Sequence, residues 1–185
     1  MIERNPAGQS PFLLVSDHYG RRIPAALGDL GLPATDLTRH IAWDVGIAGV
    51  ADRVSDALDA HLIAQAYSRL VIDCNRPATA ESSIPLISEA TTIPGNDGLT
   101  REQVEERQRL IFDPYHDAID AAIAARLAGG RPTILLALHS FTPVYHGVPR
   151  PWHIGTLYQN CVVLPPLLLA ELRREDGLVV GDNQP

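Results

Sequence analysis

Short apolar runs punctuate this chain, and several end abruptly in polar clusters. Phe12, Leu13, Leu14 and Val15 follow Pro11 as a continuous run, which predicts a strand buried on both faces that empties into Ser16, Asp17, His18, Tyr19 and Gly20. A short helix is predicted over 23–30, with Pro24 in its first turn and Gly31 ending it. A longer one is predicted over 45–58, where Val45, Ala48, Val54 and Leu58 are among the apolar positions. Strands are predicted over 61–66 and again at Leu70, Val71 and Ile72, the second stopping at Asn75, Arg76 and Pro77.

The stretch 77–98 is rich in Ser, Thr, Pro and Gly, which predicts a long functional or mobile connection that could fold over whatever Arg76 holds. Thr100 with Gln103 then matches a capping box, and Glu102 suits the positive end of the helix that follows. Pro114 predicts an interruption, before a helical run over 118–127 and a stop at Gly129 and Gly130; a kink there would aim Tyr115 and His116 inward, although packing is the plainer explanation for that pair. Residues 133–138 form the clearest predicted buried strand, and it runs into His139, Ser140 and Phe141. Strands at 153–158, 161–164 and 178–180, and a helix over 165–174, complete the pattern.

Strands that discharge into polar loops are where open α/β sheets place their ligands, at the carboxyl edge. His18 and His139 both follow such strands, and Asp44 stands at the predicted start of the helix over 45–58. Two imidazoles and one carboxylate with an open position are the donor set of hydrolytic zinc. The competing readings are a helix N-cap for Asp44 and a singly hydrogen-bonded loop residue for His18. His40, four residues before Asp44, is a candidate partner for that carboxylate.

Asn75 and Arg76 suit an anion clamp, since a guanidinium grips a carboxylate through two parallel hydrogen bonds and the amide adds a directional one. Arg69, at the other end of the same run, is a further substrate-binding candidate. Turn chemistry before Pro77 is the plainer explanation for Asn75. His116 and Ser140 are the candidate catalytic side chains within the chain, although Ser140 lacks the Gly-x-Ser-x-Gly setting of a nucleophile. His146 and His153 fall in a Pro/Gly-rich loop and are read as exposed or lid histidines.

Composition narrows the chemistry. At 185 residues the chain suits a single domain, able to bury about two-thirds of its unfolded surface. A net charge of -7 without a basic stripe argues against a nucleic-acid partner. All 15 basic side chains are arginine, so Schiff-base and P-loop lysine chemistries drop out. Cys74 and Cys161, both in apolar runs, are read as buried thiols of a reducing compartment. With no signal segment and no apolar run long enough for a bilayer, a cytoplasmic location without a membrane partner is expected.

Taken in order, His18, the run Trp43-Asp44-Val45-Gly46, Ser68-Arg69-Leu70, Asp73-Cys74-Asn75-Arg76, Pro114-Tyr115-His116 and Leu138-His139-Ser140-Phe141 resemble the N-formylglutamate amidohydrolase family. The resemblance covers nearly the whole chain. It implies an αβα sandwich around a mixed, mostly parallel sheet, similar to the zinc carboxypeptidases and aspartoacylase. It also implies a Zn2+ ion on His18, Asp44 and His139, and substrate carboxylates held by Arg69, Asn75 and Arg76. The expected reaction releases formate from an N-acylated acidic amino acid such as N-formyl-L-glutamate, and homo-oligomerisation is left open.

The sequence departs from this pattern at two places. Arg21 occupies the third position after His18, where the carboxypeptidase His-x-x-Glu spacing would put a carboxylate, so that ligand falls to Asp44. The family pattern also continues past Gly181, Asp182, Asn183, Gln184 and Pro185 into a strand carrying a Glu, the expected general base. The single domain over 1–185 is therefore expected to lack its C-terminal segment. The alternatives are a non-catalytic binder of small anions or metal, or a related deacylase or carboxypeptidase.

Overall fold

The computed structural model describes residues 1–184, which divide into two compact units, one over 1–141 and the other from 142 onward. The first is built on a mixed four-stranded sheet. Its strands are β1 (Ile2–Arg4), β2 (Phe12–Ser16), β3 (His61–Ala64) and β6 (Ile134–Ala137), in the spatial order β1-β3-β2-β6. β2 runs parallel to both β3 and β6, and β1 pairs antiparallel with β3. Central β2 carries the residues whose continuous apolar run predicts burial on both faces, and Leu13 and Leu14 are fully buried.

The alternation of side chains along β2 and β3 feeds two faces. Leu14, Leu62 and Ala64 pack with Ala51 and Val54 of helix α1 (Ile47–Leu58). Leu13, Val15 and Ile63 pack instead with Tyr115 and Ile119 of helix α3 (Asp113–Ala128). A third cluster gathers Leu30, Leu32, Ala42, Ile93 and Ile111 around Leu70, Val71 and Ile72.

Those last three residues are buried as predicted but form no strand. The reason is topological. β3 is already paired on both edges, and a chain leaving it has too few residues before Leu70 for a parallel crossover, which takes a dozen or more. The backbone of this irregular segment is satisfied by side chains. Ser68 Oγ accepts from the Leu70 N–H at 3.1 Å, Asn96 Nδ2 donates to the Leu70 carbonyl at 2.9 Å, and Arg107 Nη1 donates to the Val71 carbonyl at 3.0 Å. Arg107 also donates to Asn96 Oδ1 at 2.7 Å and to the Gly95 carbonyl at 3.1 Å, so one buried guanidinium ties three segments together.

The connection over 77–98 is short of regular structure yet docked. It carries a two-stranded hairpin of β4 (Ile87–Ser88) and β5 (Thr91–Thr92), and both Ile93 and Asn96 are buried. The capping box forms as the sequence predicts: Thr100 Oγ1 accepts from the Gln103 N–H while Gln103 Oε1 accepts from the Thr100 N–H, opening α2 (Arg101–Arg107). Pro114 produces no break. A π-turn (Gln108–Phe112) precedes it and widens the helix, which places Pro114 in the first turn of α3, where its missing N–H costs little.

Three further expectations change. The helix predicted over 23–30 is a single 3-10 turn, Ala25–Leu27, because Gly28 and Gly31 adopt positive φ angles that a helix cannot continue through. The helix predicted from Val45 starts at Ile47, with Gly46 in the left-handed region at its N-cap. β6 is an edge strand rather than a doubly buried one, and Leu135 is 51% exposed.

The second unit contains a hairpin of β7 (Val144–Tyr145) and β8 (Val148–Pro149), turned by His146 and Gly147, both at positive φ. Arg150 stacks over Tyr145. A parallel pair, β9 (Ile154–Thr156) with β10 (Val180–Asp182), packs against helix α4 (Leu164–Leu172), which has Pro165 in its first turn. His153 Nδ1 accepts from the Val179 N–H at 2.9 Å, a structural role. No strand forms over 161–164, and Cys161 is exposed, contrary to the buried thiol expected; Cys74 is buried. Among the described residues no helix is long and apolar enough to cross a membrane.

Replacing Arg107 by Ala orphans the carbonyls of Val71 and Gly95 and the Asn96 amide oxygen. Chemical denaturation should show a loss of about 3 kcal/mol, as for breaking a buried charged hydrogen-bond network. A loss below about 1 kcal/mol would show that this network is not what holds the irregular core segment.

Candidate metal centre

The parallel pairing of β2 with β6 places Val15 opposite Ala137, so His18 and His139 leave the sheet at the same edge, and their rings lie 5.0 Å apart. Asp44 arrives from the loop before α1, its N–H donating to the His18 carbonyl at 3.0 Å. Its carboxylate faces both imidazoles: Oδ1 is 3.4 Å from His18 Nδ1 and Oδ2 is 2.9 Å from His139 Nδ1. The Ser140 N–H donates to Oδ2 at 3.1 Å. Asp44 is therefore not a helix N-cap; it belongs to the cluster the sequence assembles from three separate loops.

Each histidine is backed by a second carboxylate on its far nitrogen. His18 Nε2 lies 2.7 Å from Asp73 Oδ1, and His139 Nε2 lies 3.2 Å from Asp17 Oδ2. Asp17, His18, Asp44 and Asp73 are all buried, whereas the His139 ring reaches solvent. Arg69 joins the network through Nη2 to Asp73 Oδ2 at 2.8 Å, with Nη1 3.7 Å from Asp44 Oδ1.

Burial works against charge here and is outweighed. Desolvation raises the Asp44 carboxyl, yet hydrogen bonds from His139 and His18 hold it far below the usual range. Asp73 is treated the same way by His18 and Arg69 and falls to about 2. Asp17 is also lowered: burial is again opposed by its contact with His139. Burial lowers His139, but its hydrogen bonds to Asp17 and Asp44 lift it to about 9. Tyr115, fully buried and facing Asp17, has its phenol pushed well up by burial and by that neighbouring charge.

These residues fit a metal ion. One ligand atom each from His18, Asp44 and His139 lies within 4.8 Å of the others. Two imidazoles and a carboxylate match catalytic zinc, and carboxylates behind metal-bound histidines fix their tautomer and ring orientation. The carboxylates of Asp17 and Asp44 favour the protonated form of His139, the same attraction that would draw a cation to this hollow.

The other predicted site residues separate. Asn75 and Arg76 follow Asp73 immediately: the Asn75 N–H donates to Asp73 Oδ1 at 2.9 Å, and both side chains are exposed beside the cluster's orienting carboxylate. His116 donates through Nε2 to the Cys74 carbonyl at 3.0 Å, outside the metal cluster. Ser140 Oγ donates to the Val45 carbonyl at 3.0 Å, bracing the loop that carries Asp44. His40 pairs with Glu89 at 2.8 Å rather than with Asp44, because it lies in irregular chain and not one helical turn below it. Sequence reasoning missed Asp17 and Asp73 as orienting groups. The available signal was a carboxylate placed where an apolar run ends, next to a candidate ligand or clamp.

A parallel sheet edge that gathers two histidines and a carboxylate, each imidazole backed by a further carboxylate, has the donor set of a metal-dependent hydrolase. The chain belongs to the N-formylglutamate amidohydrolase family, whose profile matches residues 10–185. The crystal structure of gene product Atu2144 from Agrobacterium tumefaciens is similar to it, with a TM-score of 0.94 and 39% sequence identity over 100% of this chain and 73% of that one. No curated protein matches the chain.

The raised His139 and depressed aspartates give a signed pH dependence. A histidine whose folded pKa exceeds its ordinary 6.5 contributes stability fully below that value and loses it as pH rises through about 9. Asp44 and Asp73 contribute above 3.8 and lose it as pH falls through their depressed values. Urea denaturation with a chelator present should therefore show stability declining between pH 6.5 and 9, and His139→Gln should flatten that segment. A slope unaltered by the substitution would rule out the Asp17–His139–Asp44 contacts as its source.

Proposed function

We propose that the protein is a zinc-dependent amidohydrolase that cleaves the formyl amide of N-formyl-L-glutamate to formate and glutamate. The observation that carries this reading is the clustering of His18, Asp44 and His139 with a carboxylate behind each imidazole. Family membership supports the reaction class. On the same reading the first unit is an αβα sandwich of the kind found in zinc carboxypeptidases and aspartoacylase. Helices packed on alternate side-chain sets of β2 and β3 support that.

A zinc ion held by His18, Asp44 and His139 would supply Lewis acidity toward the acyl carbonyl. The chain's own residues do the positioning. Asp73 and Asp17 hold the two imidazoles with their Nδ1 atoms toward Asp44. Arg76 and Asn75 grip a substrate carboxylate beside the cluster, and Arg69 links that grip to Asp73 and Asp44. Fixing the acidic amino acid by its carboxylates sets the formyl group against the metal ligands, and such orientation is a large part of catalysis. In the overall reaction water adds across the amide, a C–O bond forms, the C–N bond breaks, and the amine takes a proton.

Metal content and formate release from a panel of N-acyl amino acids test this together. Purified protein should bind about one zinc and release formate from N-formyl-L-glutamate, and His139→Ala should lose both. Arg76→Ala should retain zinc but raise KM by about tenfold or more, as for loss of a charge-assisted pair. Zinc binding without turnover of any substrate would favour a non-catalytic binder. Unchanged deformylation in His139→Ala together with no bound zinc would sink the proposal.

A further inference from the structure

The π-turn Gln108–Phe112 opens the helix where Ile111 and Phe112 pack into the core, and its first residue and His116, four residues beyond its end, reach one target. Gln108 Nε2 donates to the Ala78 carbonyl at 2.9 Å, and His116 Nε2 donates to the Cys74 carbonyl at 3.0 Å. A carbonyl only accepts, so both contacts fix the donor nitrogen. These two carbonyls flank Asn75 and Arg76. The same short segment is closed on itself by the Asp73 N–H to the Ser83 carbonyl at 2.6 Å, the Arg76 N–H to the Asp73 carbonyl at 3.2 Å, and Ser83 Oγ to the Ala78 carbonyl at 3.1 Å.

Helical phase explains why the π-turn is needed. In an uninterrupted α-helix, residues eight apart point about 80° away from each other. A π-turn inserts one extra residue, so Gln108 and His116 behave as if seven apart and fall within about 20° of the same face. The turn is held open by the Asp113 N–H donating to the Gln108 carbonyl, and by Gln65 Nε2, which donates to the Ile111 carbonyl at 3.3 Å and lies 3.4 Å from Cys74 Sγ. Pro114, with no N–H to give, removes the competing α-helical bond to Leu110. Phe112 packs on the His116 ring, with centroids 4.2 Å apart.

We infer that Gln108 and His116, phased by this π-turn, are positioning residues that brace the Asn75–Arg76 turn and so set how tightly the acidic end of the substrate is held. The inference rests on the reading of Asn75 and Arg76 as the substrate clamp. It gives His116 a role in recognition, not in proton transfer.

Steady-state kinetics on the zinc-loaded enzyme with N-formyl-L-glutamate, beside amide hydrogen exchange at Asn75 and Arg76, test it. His116→Ala and Gln108→Ala should each raise KM by about tenfold with kcat within about twofold, and exchange at Asn75 and Arg76 should quicken. His116→Gln, whose amide nitrogen can take the place of Nε2, should restore both KM and protection. A loss of kcat with KM unchanged, or failure of His116→Gln to restore exchange protection in a folded protein, overturns the brace. If Arg76→Ala leaves KM unchanged, the clamp reading itself fails. The exchange data then still decide whether the two side chains hold the turn.

Discussion

One carboxylate shared between two imidazoles organises this protein. Asp44 accepts from the Ser140 N–H and faces His18 and His139, so it joins the loop after β2, the loop after β6 and the entrance to α1 at one point. Burying that charge is costly, and its neighbours offset the cost with hydrogen bonds and with the cationic form of His139 that Asp17 and Asp44 together favour. A site so rich in carboxylates is unfavourable unless a cation sits among them. The same imbalance makes the cluster a good metal site.

The network also explains why the segment after β3 is irregular. Arg69, Asp73 and Asn75 must present groups toward the cluster while Leu70, Val71 and Ile72 fill the core behind it. A strand would send alternate side chains to opposite faces and could not do both over so short a span. The chain instead turns, and the backbone groups left over are met by Arg107 and Asn96 from two distant elements. Structural arginines and the arginine proposed to hold the substrate thus meet in one region. Arg107 is buried and spent on carbonyls, Arg69 is shared with two carboxylates, and Arg76 remains exposed beside them.

Much of this was legible from residue order. The strands β2, β3 and β6 follow from short apolar runs, the capping box at Thr100 formed as spaced, and the three metal-ligand candidates converge. The errors share a cause. Leu70, Val71 and Ile72 are as apolar as any strand, but the edge they would pair with is occupied by β1. His40 has helical spacing to Asp44, but no helix lies between them, and Glu89 of the β4–β5 hairpin takes the imidazole instead. Local pattern reports what a segment can bury, not which partner is vacant.

The stretch from Ser68 to Arg76 shows where that boundary falls. Sequence alone determined that it is buried at its middle and polar at its end, because hydrophobic burial and turn chemistry act over a few residues. It also determined which side chains can ligate a metal or grip an anion, since those are properties of the groups themselves. Only the tertiary structure decided that Asp73 orients His18, that Asp17 orients His139, and that a π-turn aligns Gln108 with His116 against the Asn75–Arg76 turn. Those contacts join residues far apart along the chain, and their geometry is set by sheet register and helical phase.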